Sequence, residues 1–224
     1  MQHRHPFQPF LPLSVRAEDA AADGEYAAMM RFSGLDERSL PRIRMDREPL
    51  RQHRPRRVVG GSFWAAGHCS VTRLRRLASH PSSAALSPTC RHCWTRSLAR
   101  DFPFLGCCYG IGVLGTQIGA TMDRTCTEPI RAVPVSLTAA GRADPLLAGL
   151  PGSVQAFVRA QGGGPRRCRR DAVVLATSPQ CPVQAFRVGR HVYATQFHPE
   201  LDVAGIRTAD RCLQALRVLR TGSR

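Results

Sequence analysis

A chain of 224 residues, 43% hydrophobic and 6% aromatic, is long enough to bury one sizeable core. It holds no run of 18 apolar residues, which excludes a transmembrane helix. Its opening Met1-Gln-His-Arg-His-Pro lacks the apolar stretch of a secretory signal, so a cytoplasmic protein is expected. Nine cysteines, an odd number without regular spacing, argue against a disulfide scaffold.

The formal net charge is +16, and all 32 basic residues are arginine. Most arginine codons are GC-rich and lysine codons are not, so the bias is that of a GC-rich gene, as in a high-GC bacterium. The charge is concentrated. Residues 51–100 hold ten arginines and no acid, 159–170 five and none, and 203–224 five and one acid. These windows carry +19 together, leaving −3 for the remainder.

In chain order, Pro9 to Val15 predicts a first strand whose prolines favour an edge or an irregular start. Arg16 to Phe32 is rich in helix formers and predicts a helix. Ile43 to Met45 is a short second strand, and Val58 to Ser62 a strand running into a turn at Gly60-Gly61. Residues 64–100 lose any clear period. Order returns at Asp101: Phe102 to Gly106 predicts a short buried strand, Cys107 to Gly110 a turn, and Ile111 to Ile118 a helix. Ala132–Leu137, Ala172–Thr177, Val183–Phe186 and Val192–Phe197 predict further strands, the last two joined by a hairpin at Gly189-Arg190. Buried short strands after a strand–turn–helix opening point to an α/β domain with a mainly parallel sheet.

Two motifs carry chemistry. In Gly106-Cys107-Cys108-Tyr109-Gly110 a strand feeds a sharp turn into a helix. A cysteine on that turn is exposed, and the helix N-terminus favours its thiolate. In Gln196-Phe197-His198-Pro199-Glu200, a histidine with a carboxylate two residues on can form a base and its orienting group.

Together, and in this order, the motifs resemble those of the class I glutamine amidotransferases. They are similar in flavour to the stand-alone domains related to the amidotransferase part of GMP synthetase. The resemblance takes in Val183 to Gly189 and the Gly60-Gly61 pair, and covers most of residues 7–50, 58–63, 101–158 and 171–206. It implies a three-layer α/β sandwich of the flavodoxin-like kind, with a mainly parallel central sheet. By position Cys108 matches the nucleophile, His198 the general base and Glu200 the residue that orients it. Cys107 falls where the family usually has an aliphatic residue facing the core. The backbone N–H of Tyr109 and one from Gly60-Gly61 would form the oxyanion hole. Gln184 and Gln196 are assigned to substrate. Gly112 departs from the family, where many members carry Gln. The implied activity is attack on the glutamine side-chain amide, releasing ammonia for a separate ATP-dependent synthetase. The alternatives are a γ-glutamyl hydrolase acting alone, or an impaired relative whose arginine blocks bind polyanions. No cofactor, metal, membrane or specific nucleic acid is implied; the chain has no phosphate-binding G-x-x-x-x-G-K-[ST] loop.

The domain is expected to span 1–206, with 51–57, 64–100 and 159–170 atypical, followed by a basic tail at 207–224. These stretches look translated in the wrong frame. Reading His92-Cys93-Trp94-Thr95 from the third base of His92 forces Leu-Leu-Asp whatever the codons, and its extension permits an amphipathic helix leading into Asp101. Shifted frames of Ala160–Gly164, Arg207–Arg220 and Arg51–Arg56 permit acids, lysines or aromatics within these arginine-rich stretches. Several compensating frameshifts are therefore expected, and a chain translated as written is expected to fold loosely and act weakly. Taken literally, His68, Cys69, His80, Cys90, His92 and Cys93 offer a zinc alternative through Cys90-x-x-Cys93, without a matching second pair. The arginine blocks would otherwise be disordered loops or a non-specific nucleic-acid surface.

Overall fold

The computed structural model describes residues 10–14, 18–45, 47, 61–65, 95, 98–123, 126, 128–160, 164–168, 171–208 and 211. The zinc alternative, Gly60 and most of the 51–57, 64–100 and 207–224 blocks lie outside them.

Strand β1 (Phe10–Ser14) leads into helix α1 (Asp19–Ser33). The helix starts with Asp19 in its first turn and ends at Gly34, whose φ of 67° is the left-handed conformation that glycine tolerates. Ala21, Ala22, Glu25, Ala28 and Met29 form its buried face, a three-to-four residue repeat. Arg44 reaches Asp19 at 3.1 Å, and Arg42 reaches Asp23 at 2.8 Å, tying the helix to β2 (Ile43–Arg44).

Strand β3 (Gly61–Ala65) differs from the expected strand-to-glycine turn. Gly61 opens the strand and pairs with Phe10, while Trp64 pairs with Gly106 of β4 (Phe104–Cys107). The backbone groups of β1 and β4 are paired by β3, so Gly61 is a strand residue and not part of a turn.

Next come α2 (Tyr109–Gln117), β5 (Thr121–Asp123), β6 (Glu128–Leu137) and the single turn α3 (Ala139–Arg142). The chain continues through β7 (Ser153–Ala160), β8 (Gly164–Arg167), β9 (Ala172–Thr177), β10 (Ala185–Val188) and β11 (Val192–Thr195). Nine strands form one sheet in the order β2-β1-β3-β4-β11-β10-β9-β6-β7, and β5 pairs with β8 apart from it. The run β2-β1-β3-β4-β11 is parallel; β10, β9, β6 and β7 extend it antiparallel. The result is a mixed α/β sheet within the three-layer fold.

One core gathers Leu13, Ile43, Phe104, Ile111, Leu114 and Phe186 between α2 and the parallel strands. A second gathers Val133, Val135, Leu137, Val158 and Leu175 under the antiparallel half. Two polar ties link the halves. Asp101 receives the Arg190 and His191 backbone N–H groups at 2.9 Å, closing the β10–β11 hairpin against the entry to β4. Asp144, its side chain fully buried, binds Arg187 Nε at 2.8 Å and Tyr193 Oη at 3.1 Å. Among the described residues, no helix is long and apolar enough to cross a membrane.

Candidate active site

In a parallel sheet, the loops beyond the strand C-termini form the crevice where ligands bind. Here β4 and β11 are parallel neighbours, with Cys107 level with Thr195. One residue past that level, Cys108 leaves the sheet; three past it comes His198.

Cys108 stands at φ 49°, ψ −86°, a conformation side-chain-bearing residues rarely adopt and one costing about 1–3 kcal/mol. Its backbone holds it there. The Cys108 N–H donates to the Thr195 carbonyl at 2.7 Å, and its own carbonyl accepts from Ile111 N–H at 3.2 Å in the first turn of α2. The bend needs the flanking glycines: a Cβ on Gly106 would lie 3.0 Å from the Gly110 Cα and 3.0 Å from Phe104 Cε1. Cys108 is half-buried at the N-cap of α2, where the helix dipole favours negative charge. Cys107, next to it, is fully buried. Burial, followed by the charge of Glu200, pushes its thiol well above the ordinary range and keeps it protonated. The sequence expected the turn to expose its cysteine; Cys108 is instead half-buried, while Cys107 faces the core.

His198 is fixed by a backbone N–H to Phe157 O bond at 2.9 Å, joining it to β7 across the sheet. Its Nδ1 lies 2.6 Å from Glu200 Oε1, and both side chains are 1% exposed. Nε2 is buried, and the ring interacts with the Cys108 sulfur. Burial alone would lower the imidazole pKa; the Glu200 carboxylate and then the Cys108 sulfur outweigh it and push it up to about 10. An imidazolium against the Glu200 carboxylate is the state this geometry favours. Such a group can deliver a proton to a leaving nitrogen and take one from water.

The other expected residues fall differently. Tyr109 opens α2, so its backbone N–H has no intrahelical acceptor. Gly61 does not join it: Ser62 is level with Phe104, which puts Gly61 about 13 Å down the sheet from the Cys107 level. Gln184, fully buried, donates its amide to Glu128 Oε2 at 2.5 Å and Ser178 Oγ at 3.0 Å. That network braces β6 against the loop after β9, away from Cys108. Gln196 is the amide that comes close, with Nε2 3.9 Å from Cys108 Sγ. Thr195 and Phe157, which anchor the elbow and the histidine by backbone carbonyls, carry no sequence signature because any residue supplies the group. Glu128 was equally silent, an isolated acid between Thr127 and Pro129.

The family model of the class-I glutamine amidotransferases matches residues 80–206, more than half of the chain. The chain belongs to the class-I glutamine amidotransferases. Within that family it is 33% identical over 104 residues to the glutamine amidotransferase-like protein YfeJ of Salmonella typhimurium, covering 46% of this chain and 42% of that protein. It is 34% identical over 104 residues to the glutamine-hydrolysing GMP synthase of a Parafrankia species, covering 46% of this chain and 19% of that protein. The match therefore spans less than half the length of either relative. The fold is that of a solved glutamine amidotransferase from Thermotoga maritima, with a TM-score of 0.69 at 16% identity, over 97% of this chain and 86% of that one.

Proposed function

We propose that the chain is a glutaminase of the amidotransferase type. The observation that carries the proposal is the buried His198–Glu200 pair, delivered beside the strained Cys108 by neighbouring parallel strands. Cys108 attacks the side-chain amide carbon of glutamine as the thiolate, and the Tyr109 backbone N–H donates to the oxyanion that forms. His198 Nε2 gives its proton to the amide nitrogen, which leaves as ammonia, and a γ-glutamyl thioester stays on Cys108. Water then adds to the thioester carbon, His198 takes its proton, and the thiolate leaves with glutamate released. Glu200 holds the imidazole with Nε2 toward the reacting atoms throughout.

The ammonia goes to an acceptor activated by a separate synthetase. Support comes from the relative named as a GMP synthase, of which the match covers only 19%. The test is glutamate release from glutamine by wild type, Cys108→Ala and His198→Gln. Turnover in the wild type that both substitutions abolish is the expected result. Turnover that survives Cys108→Ala, or a cooperatively folded wild type that releases no glutamate, would contradict the proposal.

A further inference from the structure

Gln196 is only 2% exposed, yet it carries a primary amide. Its backbone N–H is locked to the Gln184 carbonyl at 2.7 Å, between Thr195, which anchors the elbow, and the strand crossing that fixes His198. The amide therefore has little freedom of position. Its Nε2 lies 3.9 Å from Cys108 Sγ, within reach of a long N–H···S bond, and its Oε1 is buried with no hydrogen-bond partner. A buried carbonyl without a donor lowers stability, and a methionine of similar length would avoid that loss. The N–H end of the amide faces the sulfur, an acceptor, and the carbonyl end is left without a partner.

We infer that Gln196 is a positioning residue for the nucleophile: its amide N–H holds the Cys108 sulfur as a thiolate before glutamine arrives. This rests on Cys108 being the nucleophile and replaces the sequence-based assignment of Gln196 to the substrate. Enclosed as it is, the amide acts on the sulfur and not on the bound amino acid.

The test is the rate at which iodoacetamide alkylates Cys108 as a function of pH, without glutamine, read by mass spectrometry on the Cys108 peptide. Gln196→Met should move the midpoint of the alkylation profile up by about one pH unit, a roughly tenfold loss in thiol acidity and the scale of one hydrogen bond to a charged group, and leave the high-pH plateau unchanged. Its KM for glutamine should stay within about twofold, and its Tm should equal or exceed that of the wild type, because the orphaned carbonyl is gone. A wild-type alkylation profile in Gln196→Met, or a defect confined to KM, would overturn the inference. If Gln196→Met does not fold, Gln196→Asn decides: it keeps the amide but withdraws the donor by one methylene, and must show the same shift. Alkylation needs no turnover, so the outcome is independent of the glutaminase proposal, which Cys108→Ala judges separately.

Discussion

The Thr195 carbonyl accepts the Cys108 backbone N–H at 2.7 Å, continuing the β4–β11 ladder one residue beyond its last paired position. The strand that delivers His198 and Glu200 thereby also pins the elbow that presents the cysteine. Relative placement of the two halves of the site is set by sheet hydrogen bonding, which is more rigid than loop packing.

Strain at the elbow has a measurable consequence. Cys108→Gly removes the steric conflict at φ 49°. The variant should be more stable than wild type by about 1 kcal/mol while losing its thiol chemistry. Thermal unfolding checks this. A Cys108→Gly protein that melts below the wild type would mean that the side chain is packed and not strained.

The charge on His198 sets a pH dependence. Its pKa is raised from 6.5 to about 10 in the folded chain, so the folded state binds that proton more tightly than the unfolded state. The stability it supplies is whole below about pH 6.5 and is lost as pH rises through about 10. Wild-type Tm should decline across this window, and His198→Gln should show a much flatter profile. Parallel profiles for the two proteins would contradict the buried imidazolium.

A second pH effect lies away from the site. The Asp101 carboxyl is held below its ordinary pKa of 3.8, chiefly by the His191 backbone N–H. Its contribution is present above that value and fades as pH falls through the lowered one. Gly189→Ala should mimic the loss at neutral pH. Residue 189 has φ 60°, and a Cβ there would sit 2.6 Å from Asp101 Oδ1. A loss of about 1–3 kcal/mol in chemical denaturation is expected.

Much of this was legible in sequence, for physical reasons that vary by element. The helix at Asp19–Ser33, the strand at Ala172–Thr177 and the hairpin at Gly189 are local: periodicity, β-branching and a glycine turn settle them. The elbow was legible because glycine at 106 and 110 brackets a cysteine. Strand β7 was not, although Val154, Ala156 and Val158 alternate inward, because its end merges with the arginine block and its pairing with β6 is long-range. The turn expected at Gly61 was misread because Gly61–Ala65 is held in register by β1 and β4, which no local pattern reveals; Val58–Gly60 of that expected strand lie outside the described residues. Gln184 and Gln196 look alike in sequence; only the fold gives one to Glu128 and the other to Cys108.

The arginine blocks make a prediction about the gene. Resequencing codons 48–101, 157–172 and 205 to the stop should show inserted or deleted bases that restore an ordinary charge. A DNA sequence that encodes every residue as written would contradict the frameshift proposal and leave +16 as the true net charge.

The most direct test of the central claim is acid-quench mass spectrometry of the protein during turnover of glutamine. A γ-glutamyl adduct should appear on the Cys108 peptide and on none of the other eight cysteines, and should be absent from Cys108→Ala. Glutamate release with no adduct, or an adduct that persists in Cys108→Ala, would contradict Cys108 as the nucleophile.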